Sequence, residues 1–395
     1  MIYLDHAATC PMRACALEEM TKAMAEVYGN ASPSYPPAQL AKTKLDQART
    51  ALAETIGAGW REIFFTSGGT EADNWALIGA AEAEDAGIPG GHIITTKIEH
   101  HAVLHTAAYL ESRGYTVSYL SPDPEGFVSP CDLAGELEKH PDTVLVSVML
   151  VNNEVGTVEP VRELVETVRN FEADRSSKGR PILFHTDAVQ AYGKIPVDVT
   201  ELGVDLLSVS AHKLGGPKGI GFLYLKSGTR LGALIHGGAQ ESGRRAGTEN
   251  VPAAIGFAAA AREAFQKREE EEGRIRVLQE YFVRRLREEL GEAFLWNGPE
   301  PGEKRIAGNL NISFPGMDQQ TLLINLDLAG ICASGGSACT TGALDPSHVL
   351  MAMTGDRSRA AGALRFTLGS ENTKEEVDRT IQVLKETAER IRSGS

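Results

Sequence analysis

Residues 205–221, D-L-L-S-V-S-A-H-K-L-G-G-P-K-G-I-G, constrain this chain more than any other stretch. The apolar run 205–209 reads as a buried strand. At its end it delivers Ser210, Ala211, His212 and Lys213, and a loop with Gly215, Gly216, Gly219 and Gly221 follows. Burying an ammonium is costly, so lysine is seldom placed where a strand enters a core. A lysine held there has a lowered pKa and can act as a nucleophilic amine, which suits a Schiff base with an aldehyde cofactor. A surface lysine after a strand, with glycines that only make a turn, fits the same residues. The rest of the chain decides between the two.

Strand-like and helical segments alternate along most of the sequence. Strands are predicted at 63–66, 92–96, 117–120, 143–150, 182–185 and 205–209, with 220–225 as an antiparallel addition and helices such as 162–175 between them. This pattern predicts an α/β fold, a mainly parallel sheet covered on both faces. The proline-bearing 29–37 reads as a loop outside any element, and 40–57 as an amphipathic helix. A long helical stretch, 253–290, bridges two parts of the chain. With 395 residues to place, the reading is a large domain over 15–254 and a smaller α+β domain made of 1–14 with 255–395.

Composition removes several function classes. The net charge of -14 argues against general binding to nucleic acid or anionic membrane. No apolar run approaches a membrane helix, and the start, M-I-Y-L-D-H-A-A-T, has neither a basic nor an apolar signal region. The expected location is the cytoplasm. Five cysteines without a C-x-x-C make no disulfide framework. Cys10, Cys15, Cys131 and Cys332 read as ordinary thiols. Cys339 differs, standing in the small, polar loop S-G-G-S-A-C-T-T-G at 334–342.

The predicted strand tips carry the chemistry. After 63–66, S-G-G-T opens a helix near Thr70, and free backbone N–H groups at a helix start suit a phosphate. It is neither a Walker loop nor G-x-G-x-x-G, and a plain cap at Ser67 fits as well. His100 and His101 follow 92–96. His101 and His105 are four apart, as a metal pair would be, but no third ligand of the H-E-x-x-H kind is adjacent, so no metal is assigned. An imidazole packed flat on a ring is the better reading. Asp187 ends 182–185, and a carboxylate there calls for a cationic partner. Lys213, Asp187, Gly69 with Thr70, and His100 meet the four needs of pyridoxal phosphate: aldehyde carbon, pyridine nitrogen, phosphate and ring face.

The order of these parts resembles the aspartate-aminotransferase-like fold, fold type I of the pyridoxal phosphate enzymes. From Tyr3 to Leu364 the chain resembles the cysteine desulfurases, in their NifS/IscS-like branch. The motifs are F-T-S-G-G-T-E-A-D-N, E-H-H-A-V, V-N-N-E-V-G, H-T-D-A-V-Q, S-A-H-K, R-A-G-T and S-G-G-S-A-C-T. The resemblance implies roles. Lys213 would hold the cofactor and move protons, Asp187 would pair with the pyridine nitrogen, and Gln190 with the phenolic oxygen. His100 would stack on the ring and count among the catalytic residues. Gly69, Thr70, Ser210 and His212 would hold the phosphate, with Thr248 reaching in from a second protomer of a homodimer. Asn153 and Arg365 would hold the carboxylate of L-cysteine. Cys339 would be the nucleophile on a loop swung by glycines at 335, 336 and 342, passing sulfur to a protein acceptor such as an iron–sulfur scaffold or a thiolation enzyme. A selenocysteine lyase and an aminotransferase share the fold, but an aminotransferase has no need of Cys339. A non-enzymatic sulfur scaffold has no need of Lys213 or Asp187. Cys10, Ala211 and His101 depart from residues frequent in relatives (threonine, glycine and lysine).

Overall fold

The computed structural model describes residues 1–83, 91–174, 180–335 and 346–393. The central sheet has seven strands: β1 Ile63–Thr66, β2 His92–Thr96, β3 Thr116–Leu120, β4 Thr143–Ser147, β5 Leu183–Asp187, β6 Leu206–Ser210 and β7 Gly221–Leu225. Their spatial order is β1-β7-β6-β5-β4-β2-β3. Strands β3, β2, β4, β5 and β6 are parallel, and β7 is antiparallel to both neighbours, as expected for 220–225.

Alternating side chains leave the sheet on opposite faces. Phe64, Ile93, Leu145, Leu183, Leu206 and Leu223 join Trp75, Val103 and Leu110 from the helices Gly69–Ala81 and His101–Ser112. On the other face Phe65, Ile94, Val146, Phe184, Leu207 and Phe222 join the helices Pro36–Glu54 and Val161–Asp174 and the start of Val251–Leu290. Both faces are therefore dry, as a parallel sheet needs. Each buried Phe or Leu of this set contributes about 1.5–3 kcal/mol over an exposed one.

The helix expected from residue 40 begins earlier, at Pro36. Proline lacks the N–H that a first helical turn leaves unpaired anyway, and its fixed φ suits that turn. The prolines taken as loop residues thus start the element. Strand β4 ends at Ser147, short of the predicted 150. Beyond it Leu150 bonds across to Asp187 and Glu159 by its backbone.

A second sheet, β8 Leu295–Trp296, β9 Asn309–Ser313 and β10 Ala363–Thr367, is antiparallel in the order β10-β9-β8. It packs on Leu278–Leu290 of the long helix and on the helix Lys374–Ser393. The chain start lies along this sheet. Ile2–Tyr3 pairs with Ile331–Cys332, Thr367 N donates to Leu4 O at 2.7 Å, and Ala7 N donates to Thr367 Oγ1 at 2.8 Å.

Candidate active site

The carboxyl ends of β2, β4, β5 and β6 open on one cavity of about 350 Å³, where open α/β sheets place their ligands. Its lining includes Gly69, Thr70, His100, Asn153, Asp187, Gln190, Ser210, His212, Lys213 and Arg365. Ten residues singled out from sequence thus meet in one place. Thr248 does not line this cavity and is exposed on the loop before the long helix. Cys339 lies outside the described residues.

The phosphate-loop helix starts at Gly69, capped by Gly68 rather than Ser67. The backbone there is packed tightly. A Cβ on Gly69 would lie 2.7 Å from Val189 Cγ2, and one on Gly221 would lie 2.3 Å from Val209 O and 2.9 Å from Gly68 Cα. Ser67 N donates to Glu71 at 2.8 Å, and Arg245 grips the same carboxylate at 2.8 and 3.0 Å. That pairing ties up the one acidic side chain in the helix's first turn, leaving its N–H groups and Ser210 to face an anion.

Lys213 follows β6 on a single 3-10 turn, Ala211–Lys213. Its Nζ donates to Ala7 O at 2.6 Å and Ala8 O at 2.8 Å, and Gln190 Nε2 donates to the same Ala7 O at 2.9 Å. The N-terminal arm therefore supplies acceptors that aim both side chains. Arg365, 2% exposed on β10, donates from one terminal nitrogen to Asn153 O and from the other to Asp5 Oδ1, both at 2.8 Å. Its Nε is buried with no partner among the described residues. Nε–H and the remaining terminal N–H groups form a donor set for a carboxylate.

Burial drives the electrostatics. Asp187 is pushed up to about 6, chiefly by desolvation, with the Val189 N–H bond and the Lys213 charge opposing. His100 is held down at about 4 by burial and then by Lys213. Its Nδ1 accepts from Ala102 N at 3.1 Å, so the neutral ring carries its proton on Nε2. His212, with Nδ1 3.1 Å from Thr9 Oγ1, is likewise held down at about 4 by burial. His101 packs between the rings of His105 and His348, with centroids 4.9 and 4.7 Å away. The expected pair is thus part of a ring cluster at the pocket's edge.

Two carboxylates of this region, the buried Asp73 and the half-buried Asp5, went unnoticed in the sequence. Asp73 lines the cavity, and its pKa is raised by burial and by Asp187. It sits one turn after Gly69 on the helix's buried stripe with Ala72 and Ala76, and an acid in that stripe was a readable signal. Asp5 gave no such signal, because its partner Arg365 is 360 residues away.

The aminotransferase class-V family model matches residues 2–380. The cysteine desulfurase IscS of Dictyoglomus turgidum is 45% identical over 394 residues, covering all of this chain and 96% of that protein. The putative cysteine desulfurase IscS 1 of Bacillus subtilis is 46% identical over 377 residues, covering 95% of each. The chain belongs to the cysteine desulfurases of the class-V aminotransferases. Among solved structures, a NifS-like protein matches over the full length of both chains, with a TM-score of 0.88 and 37% identity. The structure titled "SspA in complex with cysteine" matches with a TM-score of 0.79 and 33% identity, covering 94% of this chain and all of that one. The cavity lies between the two sheets: β10 brings Arg365, and the central sheet with the turn after it brings Asp187 and Lys213.

The described residues on either side of 336–345 are held at this cavity. Ser334 exchanges both backbone hydrogen bonds with Arg365, and Ser347 Oγ donates to Glu154 Oε2 at 2.5 Å. Of the three glycines expected to swing this loop, Gly336 and Gly342 lie outside the described residues, and Gly335 rests against Gln319. Gln319 Nε2 donates to its carbonyl at 2.9 Å, and a Cβ there would lie 2.2 Å from Gln319 Oε1.

Proposed function

We propose that this protein converts L-cysteine to L-alanine in the cytoplasm with pyridoxal 5'-phosphate as cofactor. Cys339 takes the sulfur as a persulfide and passes it to a protein acceptor, an iron–sulfur scaffold or a thiolation enzyme. One observation carries the reading: Lys213, Asp187 and Arg365 face one cavity beside the root of the Cys339 segment.

The residues present fit the cofactor. Gly69, Thr70, Ser210 and His212 would hold its phosphate, at a backbone too close-packed for side chains at Gly69. Asp187 is costly to ionise in its buried place, and a protonated ring nitrogen would offset that cost. Gln190 would bond the phenolic oxygen, His100 would stack on the ring, and Lys213 would hold the aldehyde carbon. Once bound, the cofactor supplies an electron sink for the bonds at the substrate's Cα.

The chain's own groups do the rest. Arg365 takes the substrate carboxylate on Nε–H and its uncommitted N–H groups, beside Asn153. Lys213 removes the Cα proton and returns one. The Cys339 thiolate bonds to the substrate sulfur as the Cβ–S bond breaks, and carbon keeps that bond's electrons and gains a proton. Cys339 lies five steps along the chain from Ser334, an extended span of at most ~18 Å, so a thiol rooted on Arg365 has the reach to meet a substrate held there. Thr248 is assigned to the phosphate site of a second copy. Its loop is anchored near the phosphate-loop helix by Arg245–Glu71 and on β1 by Glu241, which accepts from Phe65 N and pairs with Arg49.

Replacing the lysine tests the reading. Lys213→Ala should lose the visible absorbance of bound cofactor and make no alanine from cysteine. Wild-type turnover in that variant would overturn it.

A further inference from the structure

At the far end of the sheet from the catalytic cavity, five polar side chains converge. His92 opens β2 and Thr143 opens β4, while Ser118 lies on β3. Glu136 is on the helix Pro130–Lys139, and His140 caps its end. His92 Nδ1 is 2.8 Å from Thr143 Oγ1, which is 2.6 Å from His140 O. His92 Nε2 is 2.9 Å from Ser118 Oγ, which is 2.6 Å from Glu136 Oε1. This line has four links and an acceptor at each end. Two hydroxyls and a neutral imidazole bring only three hydrogens to it. Whichever tautomer His92 adopts, one short contact sets lone pair against lone pair. A cation at the His92–Glu136 end removes that conflict, because Thr143 can then accept from Nδ1–H and leave Nε2 free to bind.

The third group lies beside them. His140 stacks on His92 with ring centroids 3.9 Å apart, and its Nε2 is 3.6 Å from Glu136 Oε1. Ligands at about 2.0–2.2 Å from a tetrahedral ion stand about 3.3–3.6 Å apart. One ligand atom from each of His92, Glu136 and His140 lies within 4.8 Å of the others. Two imidazoles and one carboxylate suit zinc-class ions over magnesium or calcium, and a histidine ligand whose other nitrogen is hydrogen-bonded is the usual arrangement.

We propose that His92 Nε2, Glu136 Oε1 and His140 Nε2 bind a divalent transition-metal ion of the zinc class, with water as fourth ligand. His140, a third exposed at the helix end, tilts off its stack to bind, and Ser118 turns aside. The ion clamps the helix Pro130–Lys139 to the edge strands and takes no part in desulfuration.

The test uses cofactor-loaded enzyme, dialysed against a chelator and with its thiols alkylated so that cysteine cannot bind metal. Titration with zinc sulfate should retain one zinc per chain after gel filtration and raise the melting temperature. His140→Ala and Glu136→Gln should each lose both effects, and should keep wild-type desulfuration when assayed before alkylation. No retained zinc in the wild type, or equal zinc in both variants, would overturn the proposal. So would loss of zinc in His101→Ala with retention in His140→Ala.

Discussion

Asp187, assigned to the cofactor's ring nitrogen, should destabilise the chain when the cofactor is absent. Burial raises its pKa from 3.8 to about 6. At about 1.36 kcal/mol per unit, ionising it in the folded, cofactor-free chain costs about 3 kcal/mol. Because the folded-state pKa is the higher one, the stability linked to its proton is fully present below the unfolded value of 3.8 and is lost as pH rises through about 6. Asp187→Asn mimics the protonated form and keeps an acceptor for Val189 N–H. The cofactor-stripped variant should therefore be more stable than wild type by about 3 kcal/mol at pH ~8, and by roughly half that at pH ~5. Asp73, whose pKa Asp187 helps to raise, would relax in the same direction. Guanidinium unfolding of both stripped proteins at the two pH values measures this. The loaded variant should meanwhile lose orders of magnitude in alanine formation, since an amide cannot hold the ring nitrogen protonated. A stripped Asp187→Asn chain less stable than wild type at the higher pH would refute the electrostatic argument. Turnover within about tenfold of wild type, about 1.4 kcal/mol in the barrier, would refute the catalytic one.

Two further outcomes are expected. Cys339→Ser should bind cofactor and respond spectrally to cysteine but build no persulfide, and mass spectrometry of cysteine-treated wild type should find one extra sulfur on the Cys339 peptide; sulfur on Cys10, Cys15, Cys131 or Cys332 instead would sink that assignment. Sedimentation should show a homodimer, and Thr248→Ala should weaken cofactor binding in both sites; a fully active monomer would contradict the shared phosphate site.

The sheet and most of the cavity were legible because their signals are local. A strand tip followed by a glycine loop announces itself within about ten residues, as at Gly69 and Lys213, and a carboxylate at a strand tip does so at Asp187. Pro36 misled because the same residue breaks a loop and starts a helix, and only the chain after it tells which. Contacts distant in sequence stayed hidden. His92 with Glu136 and His140, and Asp5 with Arg365, are created by packing, and no spacing rule encodes them. Gly335 was read as a hinge from its residue type, and its contact with Gln319, from a different element, was not readable in the sequence.

The arm at residues 5–9 and the strand β10 together complete the corner that holds Arg365. During synthesis the arm is made before its partner and waits for a strand some 360 residues later. At about 5–20 residues per second that delay is tens of seconds. The central sheet can collapse well before then, but the acceptors Ala7 O and Ala8 O reach Lys213 and Gln190 only once the arm is seated. A nascent or truncated chain lacking β10 would thus carry the sheet's catalytic residues without a place for substrate. Such a chain should make no alanine from cysteine.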